Sequence, residues 1–437
     1  MCNWNMAEVL PMMLTGRELK ESLKVLPEYE SNIREQSQAV RLMALNDIYK
    51  VYLPSEMSCE IYSKIYLAML RSLQKKGTKL ATQQKYANFK GMKNNEYTGL
   101  VAGSDSFTII GSSGIGKSSA ISRAINIATD NKVIELQNPY CRIIPSVVVQ
   151  TPFDCSVKSL LLEILRQVDE SLDTHYFDMA VRAKSTVDIL IGLVSQVALN
   201  HIGLLVVDEI QNILNHKQGK SLVGCLTQLI NNSGISICMV GVPEVENFFM
   251  EVEYLARRSL GLNYGRMEYN SYFREFCEVL FSYQYVKNQS SLSDGMLQWL
   301  YEHSGGVLAV VVSLIHSAQE ISILNGREVL DLVALEEAYS KRLIMLHNHI
   351  QPAIQVGSSI ARKSASKKEK RNKVTVPETN DCALEKRHSE AIINVPANKD
   401  ADSDWSFAEM AARAKKEQVN IINLLIGKVS ITEVCRA

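Results

Sequence analysis

The stretch GSSGIGKS at residues 111–118 decides the fold class of this 437-residue chain. Glycines stand at its first and sixth positions, lysine and serine follow, and the apolar run FTII lies directly before it. This spacing is typical of a turn between a strand and a helix whose backbone N–H groups point at phosphate oxygens. We therefore predict a nucleotide-binding loop consisting of Gly111, Ser112, Ser113, Gly114, Ile115, Gly116, Lys117, Ser118 and Ser119.

Two side chains of this loop have predicted chemical roles. Lys117 would place its positive charge near the β and γ phosphates of a nucleotide, and the Ser118 hydroxyl would ligate Mg²⁺. The helix that begins here would add the positive end of its dipole. The loop alone does not distinguish a kinase from a motor, a signalling switch or a DNA-bound regulator.

A second motif, GLLVVDEIQ, follows at residues 203–211. A buried strand that ends in two carboxylates is costly unless a cation lies beside them. Mg²⁺ would provide that cation, which makes Asp208 its carboxylate ligand. Glu209 is placed to orient or deprotonate an attacking water, a role that distinguishes a hydrolase from a kinase. The alternative is that the two acids only cap the next helix.

The third strand, ISICMVGVPE at residues 235–244, offers no clear partner for the γ phosphate. Val242 and Pro243 lie where a polar residue is expected, and Ser236 and Glu244 are weak substitutes. We assign this role to none of them.

A pair of arginines, Arg257 and Arg258, follows in the stretch EYLARRSLGL. An arginine stays charged at all relevant pH and can stabilise the transition state at a neighbouring subunit's phosphate. We predict that one of the pair is catalytic in this way; the alternative is that both are ordinary surface residues.

The pattern along the chain predicts an α/β fold. Strand-like runs alternate with amphipathic helices from about residue 105, which is typical of a parallel sheet covered on both faces. The predicted division is an N-terminal helical module at 1–100, a nucleotide-binding α/β domain at 101–270, a helical lid at 271–350, a flexible basic linker at 351–402 and a partner-docking helix at 403–437.

Composition indicates a soluble globular protein, with 46% hydrophobic and 22% charged residues. The longest apolar run, VLAVVVSLI at 307–315, is too short to cross a bilayer, and the N-terminus lacks the pattern of a secretory signal. We therefore expect a cytoplasmic protein without a membrane partner.

Basic and acidic residues balance at 47 each, so the global charge gives no evidence for a polyanionic partner. Residues 361–373, ARKSASKKEKRNK, are nevertheless strongly basic, as either a solvated linker or a DNA-contacting arm. Beyond them, a short apolar helix either docks a partner or folds back onto the core. Its candidate anchors are Trp405, Phe407, Ile421, Leu424 and Leu425.

Several motifs in this order resemble the AAA+ ATPases of the TnsC and TniB type, regulators of target selection in cut-and-paste transposons, including CRISPR-associated ones. The similarity runs from about residue 30 to 350. It rests on RLMALNDIYKVYLPSEMSCEIYSKIYLAMLRSL at 41–73, IGSSGIGKSSAISRAI at 110–125, LLVVDEIQNIL at 204–214, MVGVPEVENFF at 239–249 and SGGVLAVVVSLIHSAQE at 304–320.

The resemblance implies ATP and Mg²⁺ as cofactors and ATP-dependent assembly of a homo-oligomeric ring or filament on double-stranded DNA. It also implies that the assembly links a target selector of the TniQ type to transposase subunits. For DNA contact, the loops after the second strand and before the helix at TVDIL offer Lys158, Lys184 and Thr186, with Ser185 and Asp188 as a capping box.

Two departures from the family pattern imply slow, assembly-dependent hydrolysis. The lid helix has no arginine where many AAA+ proteins place one over the nucleotide, and the third strand lacks a clear polar sensor. The alternative function is a signalling-type or secretion-type AAA+ NTPase that acts on protein partners without DNA.

Overall fold

The structure is a computed structural model, and it describes residues 10–94, 99, 106–130, 132–137, 140–215, 219–247 and 261–347. Within these residues a six-stranded sheet is flanked by helices and followed by a helical lid. The strands are β1 Phe107–Gly111, β2 Ile134–Gln137, β3 Tyr140–Gln150, β4 Ile202–Asp208, β5 Ser236–Gly241 and β6 Leu262–Tyr264.

The sheet has the strand order β2-β3-β4-β5-β1-β6. Strands β3, β4, β5, β1 and β6 run parallel, as the alternating sequence pattern predicts. Their carboxyl ends therefore lie at one edge of the sheet, where the nucleotide-binding loop follows β1 and Asp208 ends β4. Parallel strands at the centre of a sheet place ligands at this edge.

Strand β2 departs from the prediction of a parallel sheet, because it pairs antiparallel with β3. Only two residues separate Gln137 from Tyr140, and a connection of that length joins antiparallel strands, whereas a parallel crossover needs a dozen residues or more. The sheet is therefore mixed, with its single antiparallel pair at one edge.

In the part of the chain that the structure describes, nine α-helices precede the lid. They are α1 Gly16–Leu23, α2 Gln38–Leu45, α3 Glu56–Lys76, α4 Lys79–Asn94, α5 Lys117–Thr129, α6 Val157–Leu172, α7 Tyr176–Arg182, α8 Val187–His201 and α9 Gly219–Ser233. Gly77 is the C-cap of helix α3.

Strand β4 shows why the sheet is covered on both faces. Leu204 and Val206 pack into a core with helices α1, α3 and α5, whereas Leu205 and Val207 pack into a second core with α6, α8 and α9. Since side chains alternate between the faces of a strand, an uninterrupted apolar run fits only a strand buried on both sides.

The lid consists of four helices, α10 Ser271–Ser282, α11 Asp294–Ser304, α12 Leu308–Leu324 and α13 Leu332–Arg342. Three of them begin at a side-chain cap, formed by Asn270, Ser293 and Asp331 respectively. Their buried faces form a third hydrophobic core.

The N-terminal helical segment divides between two of these cores. Leu19, Leu23 and the buried face of α3 pack on the sheet, whereas Leu45, Ile48 and the residues up to Leu53 pack into the lid core. A buried ion pair reinforces the second contact, because Arg41 donates to both carboxylate oxygens of Glu328 at 2.6 Å.

Among the described residues, no helix combines the length and the hydrophobicity that a membrane crossing requires. The predicted linker and docking helix, residues 351–437, lie outside the described residues.

Candidate nucleotide-binding site

Two glycines allow the loop after β1 to turn. Gly114 and Gly116 have φ of 79° and 97°, values that other residues rarely adopt. Gly116 is the N-cap of α5, so the helix begins at Lys117 with its free N–H groups directed into the loop. The Lys117 ammonium donates to the carbonyls of Gly111 at 2.6 Å and Ser112 at 3.0 Å, across the mouth of the turn.

The carboxylate of Asp208 lies beside the start of α5. Ser118 Oγ donates to Asp208 Oδ2 over 3.1 Å, and the N–H of Glu209 donates to Asp208 Oδ1 over 2.8 Å. Adjacent ligands of an octahedral Mg²⁺ at about 2.1 Å lie about 3 Å apart. The Ser118 hydroxyl and the Asp208 carboxylate are therefore close enough together to hold one Mg²⁺, which would neutralise charge on bound phosphates.

Glu209 sits in an unusual backbone conformation directly after the strand. Its φ is 56°, in the left-handed region that a residue with a side chain adopts only when its surroundings hold it there. Gln211 Nε2 donates to Glu209 Oε2, and Gln211 Oε1 is buried without a hydrogen-bond partner. Gln211 is thus a polar residue of the site that the sequence analysis did not identify.

The electrostatics around Lys117 suit an anion. Burial lowers the pKa of Lys117 from its ordinary value, and the carboxylates of Asp208, Glu209 and Glu244 oppose part of that shift. A half-buried ammonium gains from a negative partner that replaces lost hydration. Phosphate oxygens between Lys117 and a cation at Asp208 would supply such a partner.

The lid touches the loop directly. The N–H of Ala309, at the start of α12, donates to the carbonyl of Gly114 over 3.1 Å. A Cβ on Gly114 would lie 2.8 Å from Val307 Cγ1, closer than real Cβ atoms approach. Only glycine therefore allows the lid to pack this closely on the phosphate loop.

A cavity of about 280 Å³ lies between these groups. Its lining combines loop residues with the acidic end of β4, the end of β5 and the start of α12, and comprises Ser113, Gly114, Gly116, Lys117, Ser118, Ser119, Asp208, Glu209, Gln211, Gly241, Val242 and Ala309. The structure thus brings seven of the predicted phosphate and metal residues to one cavity. Gly111, Ser112 and Ile115 lie in the same loop outside this lining.

A second, more apolar cavity of about 260 Å³ adjoins the first and shares Gly114, Gly116, Ser119 and Ala309 with it. Ile115 of the same loop also lines it, and its remaining walls come from the N-terminal segment and the lid, with Tyr49, Val51, Tyr52, Leu53, Ser55, Met57, Ser58, Tyr272, Phe276, Leu308, Val312 and Ser313. A flat aromatic base fits such walls better than a phosphate does. No spacing rule in the sequence could have identified these residues, because three distant segments supply them.

The structure also locates the weak candidates of the third strand. Ser236 begins β5 and donates to the carbonyl of Ala68 at 3.1 Å, away from the cavity, which Gly241 at the other end of the strand lines. Glu244 is exposed beside the site. The described part of α12 that faces the nucleotide-binding cavities carries no charged side chain.

The candidate arginines Arg257 and Arg258 lie outside the described residues. The candidate DNA contacts are all exposed: Lys158 near the start of α6, and Lys184 and Thr186 just before α8. The predicted capping box of Ser185 and Asp188 is wrong, because the N-cap of α8 is the next residue, Thr186, whose side chain makes no cap hydrogen bond.

With the geometry of the loop, the carboxylates and the lid established, comparison with known proteins gives one match to a family. Residues 102–261 match the family model described as the bacterial TniB protein. This segment is similar to the TniB family. The match spans less than half of the chain and covers β1 to β5 with both acidic and glycine-rich motifs. No curated protein matches the chain.

Three solved structures resemble the chain weakly. The ORC2 protein of Aeropyrum pernix, in ADPNP and ADP complexes, has 17% identity and a TM-score of 0.38 over 60% of this chain and 66% of its own. The ORC1 protein of the same organism, in complex with DNA, has 13% identity and a TM-score of 0.39, over 60% and 63%. Drosophila ORC bound to DNA has 14% identity and a TM-score of 0.40, over 80% and 73%.

The chain spans slightly less than two thirds of the two Aeropyrum proteins. Their TM-scores are too low for a functional comparison. The function is therefore inferred from the TniB-type motifs and from the geometry of the site.

Proposed function

We propose that the protein is an ATP-dependent regulator of DNA transposition. In the ATP state it oligomerises on double-stranded target DNA and links a target selector of the TniQ type to transposase subunits. The observation that carries the proposal is the convergence of Lys117, Ser118, Asp208 and Glu209 on one cavity inside a segment that matches the TniB family.

Different residues of the two cavities bind different parts of the nucleotide. Backbone N–H groups of the loop and the Lys117 ammonium hold the phosphates, and the adjoining apolar cavity takes the adenine base. Ser118 and Asp208 would hold Mg²⁺, which neutralises charge on the phosphates when it is bound.

Hydrolysis would depend on Glu209, which lies at the end of β4 with its backbone fixed through Asp208. Its carboxylate orients a water and accepts a proton from it, and Gln211 positions the carboxylate by donating to Oε2. Arg257 or Arg258 from a neighbouring subunit would stabilise the charge of the transition state. Hydrolysis is then slow in the monomer and faster in the assembly.

The lid contact gives a physical reason for coupling nucleotide to assembly. The N–H of Ala309 is hydrogen-bonded to the phosphate loop, and the walls of the apolar cavity come from both the N-terminal segment and the lid. A nucleotide that fills both cavities therefore contacts all three parts of the molecule and fixes their arrangement. An oligomer that requires one arrangement would form in the ATP state.

Phosphate release with and without duplex DNA tests the proposed function. Assembly on DNA brings the arginine of one subunit to the nucleotide of the next, so duplex DNA should raise the turnover number at saturating ATP by about tenfold or more. A turnover number that duplex DNA leaves unchanged, in a protein that binds ATP, would support the alternative of an AAA+ NTPase acting on protein partners.

A further inference from the structure

Helix α4 lies in a stretch of unusual charge. From Ile61 to Asn95 the chain has no Asp or Glu, and it has eight basic residues, Lys64, Arg71, Lys75, Lys76, Lys79, Lys85, Lys90 and Lys93. The whole chain carries equal numbers of basic and acidic residues. The excess of positive charge is therefore local to α3 and α4.

One face of α4 is fixed by packing. Ala81, Gln84 and Asn88 are buried against α8 and α9. Gln84 Nε2 donates to Asn88 Oδ1 at 2.9 Å, and Asn88 Nδ2 donates to the carbonyl of Asn232 at 2.9 Å. These bonds set the rotation of the helix, so the residues on its opposite side face outward.

The outward side carries a row of hydrogen-bond donors. Lys79, Gln83, Tyr86 and Lys90 are spaced four, three and four residues apart, which places them on one stripe of a helix. All four are exposed, Tyr86 by 62%, and Lys90 Nζ lies 4.8 Å from the centre of the Tyr86 ring. We call these four residues the α4 row.

Further basic side chains lie near the end of α8. Lys76, the last residue of α3, donates to the carbonyls of Ala198 at 2.5 Å and Leu199 at 2.9 Å, and burial lowers its pKa to about 7. Burial also lowers the pKa of His201; a hydrogen bond to the carbonyl of Arg142 opposes that shift, and Lys76, Lys85 and Arg142 add to it. Glu135, 3.5 Å from Arg142, partly offsets the charge of Arg142. Lys85 and Arg142 therefore extend the positive charge of α4 towards the end of α8.

The α4 row lies near the amino ends of the parallel strands, whereas the nucleotide-binding loop lies at their carboxyl ends. Helix α8 ends where β4 begins, and α9 ends just before β5 begins. Helix α4 packs on α8, and its Asn88 donates to the carbonyl of Asn232 near the end of α9, whereas the nucleotide-binding loop follows the carboxyl end of β1. A ligand on the α4 row would therefore leave the nucleotide-binding cavity untouched.

We propose that the α4 row is a second contact surface for the phosphate backbone of duplex DNA, separate from Lys158, Lys184 and Thr186. The inference rests on the proposed function, in which the protein binds duplex DNA. Ammonium, amide and phenol donors are the groups that contact phosphates without reading sequence. The row extends over about 16 Å, or roughly five nucleotides along one strand.

An acidic protein segment is the other chemistry that a basic surface could bind. The α4 row favours DNA because its four side chains are all polar donors in a line, whereas a protein partner needs a continuous apolar patch at its centre. Leu80 and Phe89, exposed by 52% each, lie to either side of the row and do not join into such a patch along it.

The test uses fluorescently labelled duplex DNA of random sequence and measures its anisotropy with the full-length protein in ADP and in an ATP analogue. The variant Lys79→Gln/Lys90→Gln should bind more weakly, and the negative slope of log K against log salt concentration should become shallower by about 1.8, since each lost phosphate contact removes about 0.9. The control Lys50→Gln/Lys341→Gln removes two exposed charges on the lid side and should change neither value.

The outcomes separate the inference from the proposed function. If the wild-type protein binds duplex DNA and the Lys79→Gln/Lys90→Gln variant has the same affinity and the same salt slope, the α4 row is not a DNA contact, and the proposed function is unaffected. An absence of duplex binding by wild type in either nucleotide would overturn the proposed function as well. If the wild-type protein binds labelled polyglutamate more tightly than duplex DNA, and the variant loses the binding of polyglutamate, the α4 row binds an acidic protein segment. That result would also overturn the inference.

Discussion

The hydroxyl of Ser118 donates to the carboxylate of Asp208 over 3.1 Å, and this bond joins the start of α5 to the end of β4. Ninety residues separate the two partners in sequence, and parallel pairing of β1, β5 and β4 brings them to the same edge of the sheet. The site for phosphate and metal is therefore assembled by the topology of the sheet, and the residues after Asp208 are held beside it.

The first prediction distinguishes the roles of Glu209 and Gln211. Glu209→Gln should retain ATP binding and lose almost all turnover, because an amide cannot accept the proton of water. Gln211→Ala should lower the turnover number by about tenfold with little change in KM, because it removes a donor that positions Glu209. Steady-state phosphate release over a range of pH measures both effects.

Two results would contradict these assignments. Turnover like that of wild type in Glu209→Gln would remove Glu209 from catalysis. A Gln211→Ala protein whose pH profile and turnover number match wild type would show that the side chain only fills space.

The second prediction concerns Arg257 and Arg258. The double variant to alanine should bind ATP normally and hydrolyse it poorly, and Glu209→Gln should bind ATP and assemble without hydrolysing it. If the arginines act across a subunit boundary, an equal mixture of the two inactive proteins should regain activity at about one quarter of its interfaces, because those pair an intact Glu209 with an intact arginine.

The measurement is phosphate release by the mixture in the presence of duplex DNA, with each variant alone as the control. A mixture no more active than its components, although both join the same oligomers in light scattering, would place the arginines outside catalysis.

The third prediction concerns residues 400–437. Their deletion should leave ATP turnover and assembly on DNA nearly unchanged and remove recruitment of the transposase, because apolar groups such as Trp405 and Leu424 gain burial only when a partner covers them. A pull-down with the transposase measures recruitment. A lower melting temperature together with impaired turnover would instead indicate that the helix folds back onto the core.

The fourth prediction follows from Lys76, whose pKa burial lowers from 10.5 to about 7. Between pH 7 and 10.5 the unfolded state binds a proton at this side chain that the folded state does not, so this lysine makes stability rise with pH over that window. Relative to Lys76→Met, the melting temperature of wild type should therefore increase from pH 7 towards pH 10.

The test is how the difference in melting temperature between wild type and Lys76→Met changes with pH. The size of that difference at one pH is no test, because Lys76→Met also loses the hydrogen bonds to Ala198 and Leu199 at every pH. A constant difference between the two melting temperatures across the window would show that Lys76 keeps its ordinary pKa in the folded protein.

The sequence predicts the parts of the site that depend on local spacing. Two glycines of the loop, Gly114 and Gly116, and the carboxylates at the end of an apolar strand each require a particular backbone position, and the structure places them at one cavity. Their catalytic and metal-binding roles stay predictions. The α/β fold with its helical lid is confirmed for the described residues, together with the TniB-type resemblance of residues 102–261.

Other features could not be predicted because they depend on contacts between distant segments. Strands β2 and β6 have four and three residues, too few for a periodic signal. Gln211 becomes part of the site only through its bond to Glu209, and Tyr49 and Phe276 share a cavity only after the N-terminal segment packs on the lid. The domain boundaries stay predictions as well.

Sedimentation of the full-length protein with duplex DNA tests the central claim most directly. In an ATP analogue the protein should cosediment with DNA as large assemblies, and in ADP or with Lys117→Ala it should not, because the phosphate loop then lacks its γ phosphate or its cation. Glu209→Gln should form the same assemblies with ATP itself and keep them. Assemblies of equal size in ADP, in the ATP analogue and with Lys117→Ala would contradict the account.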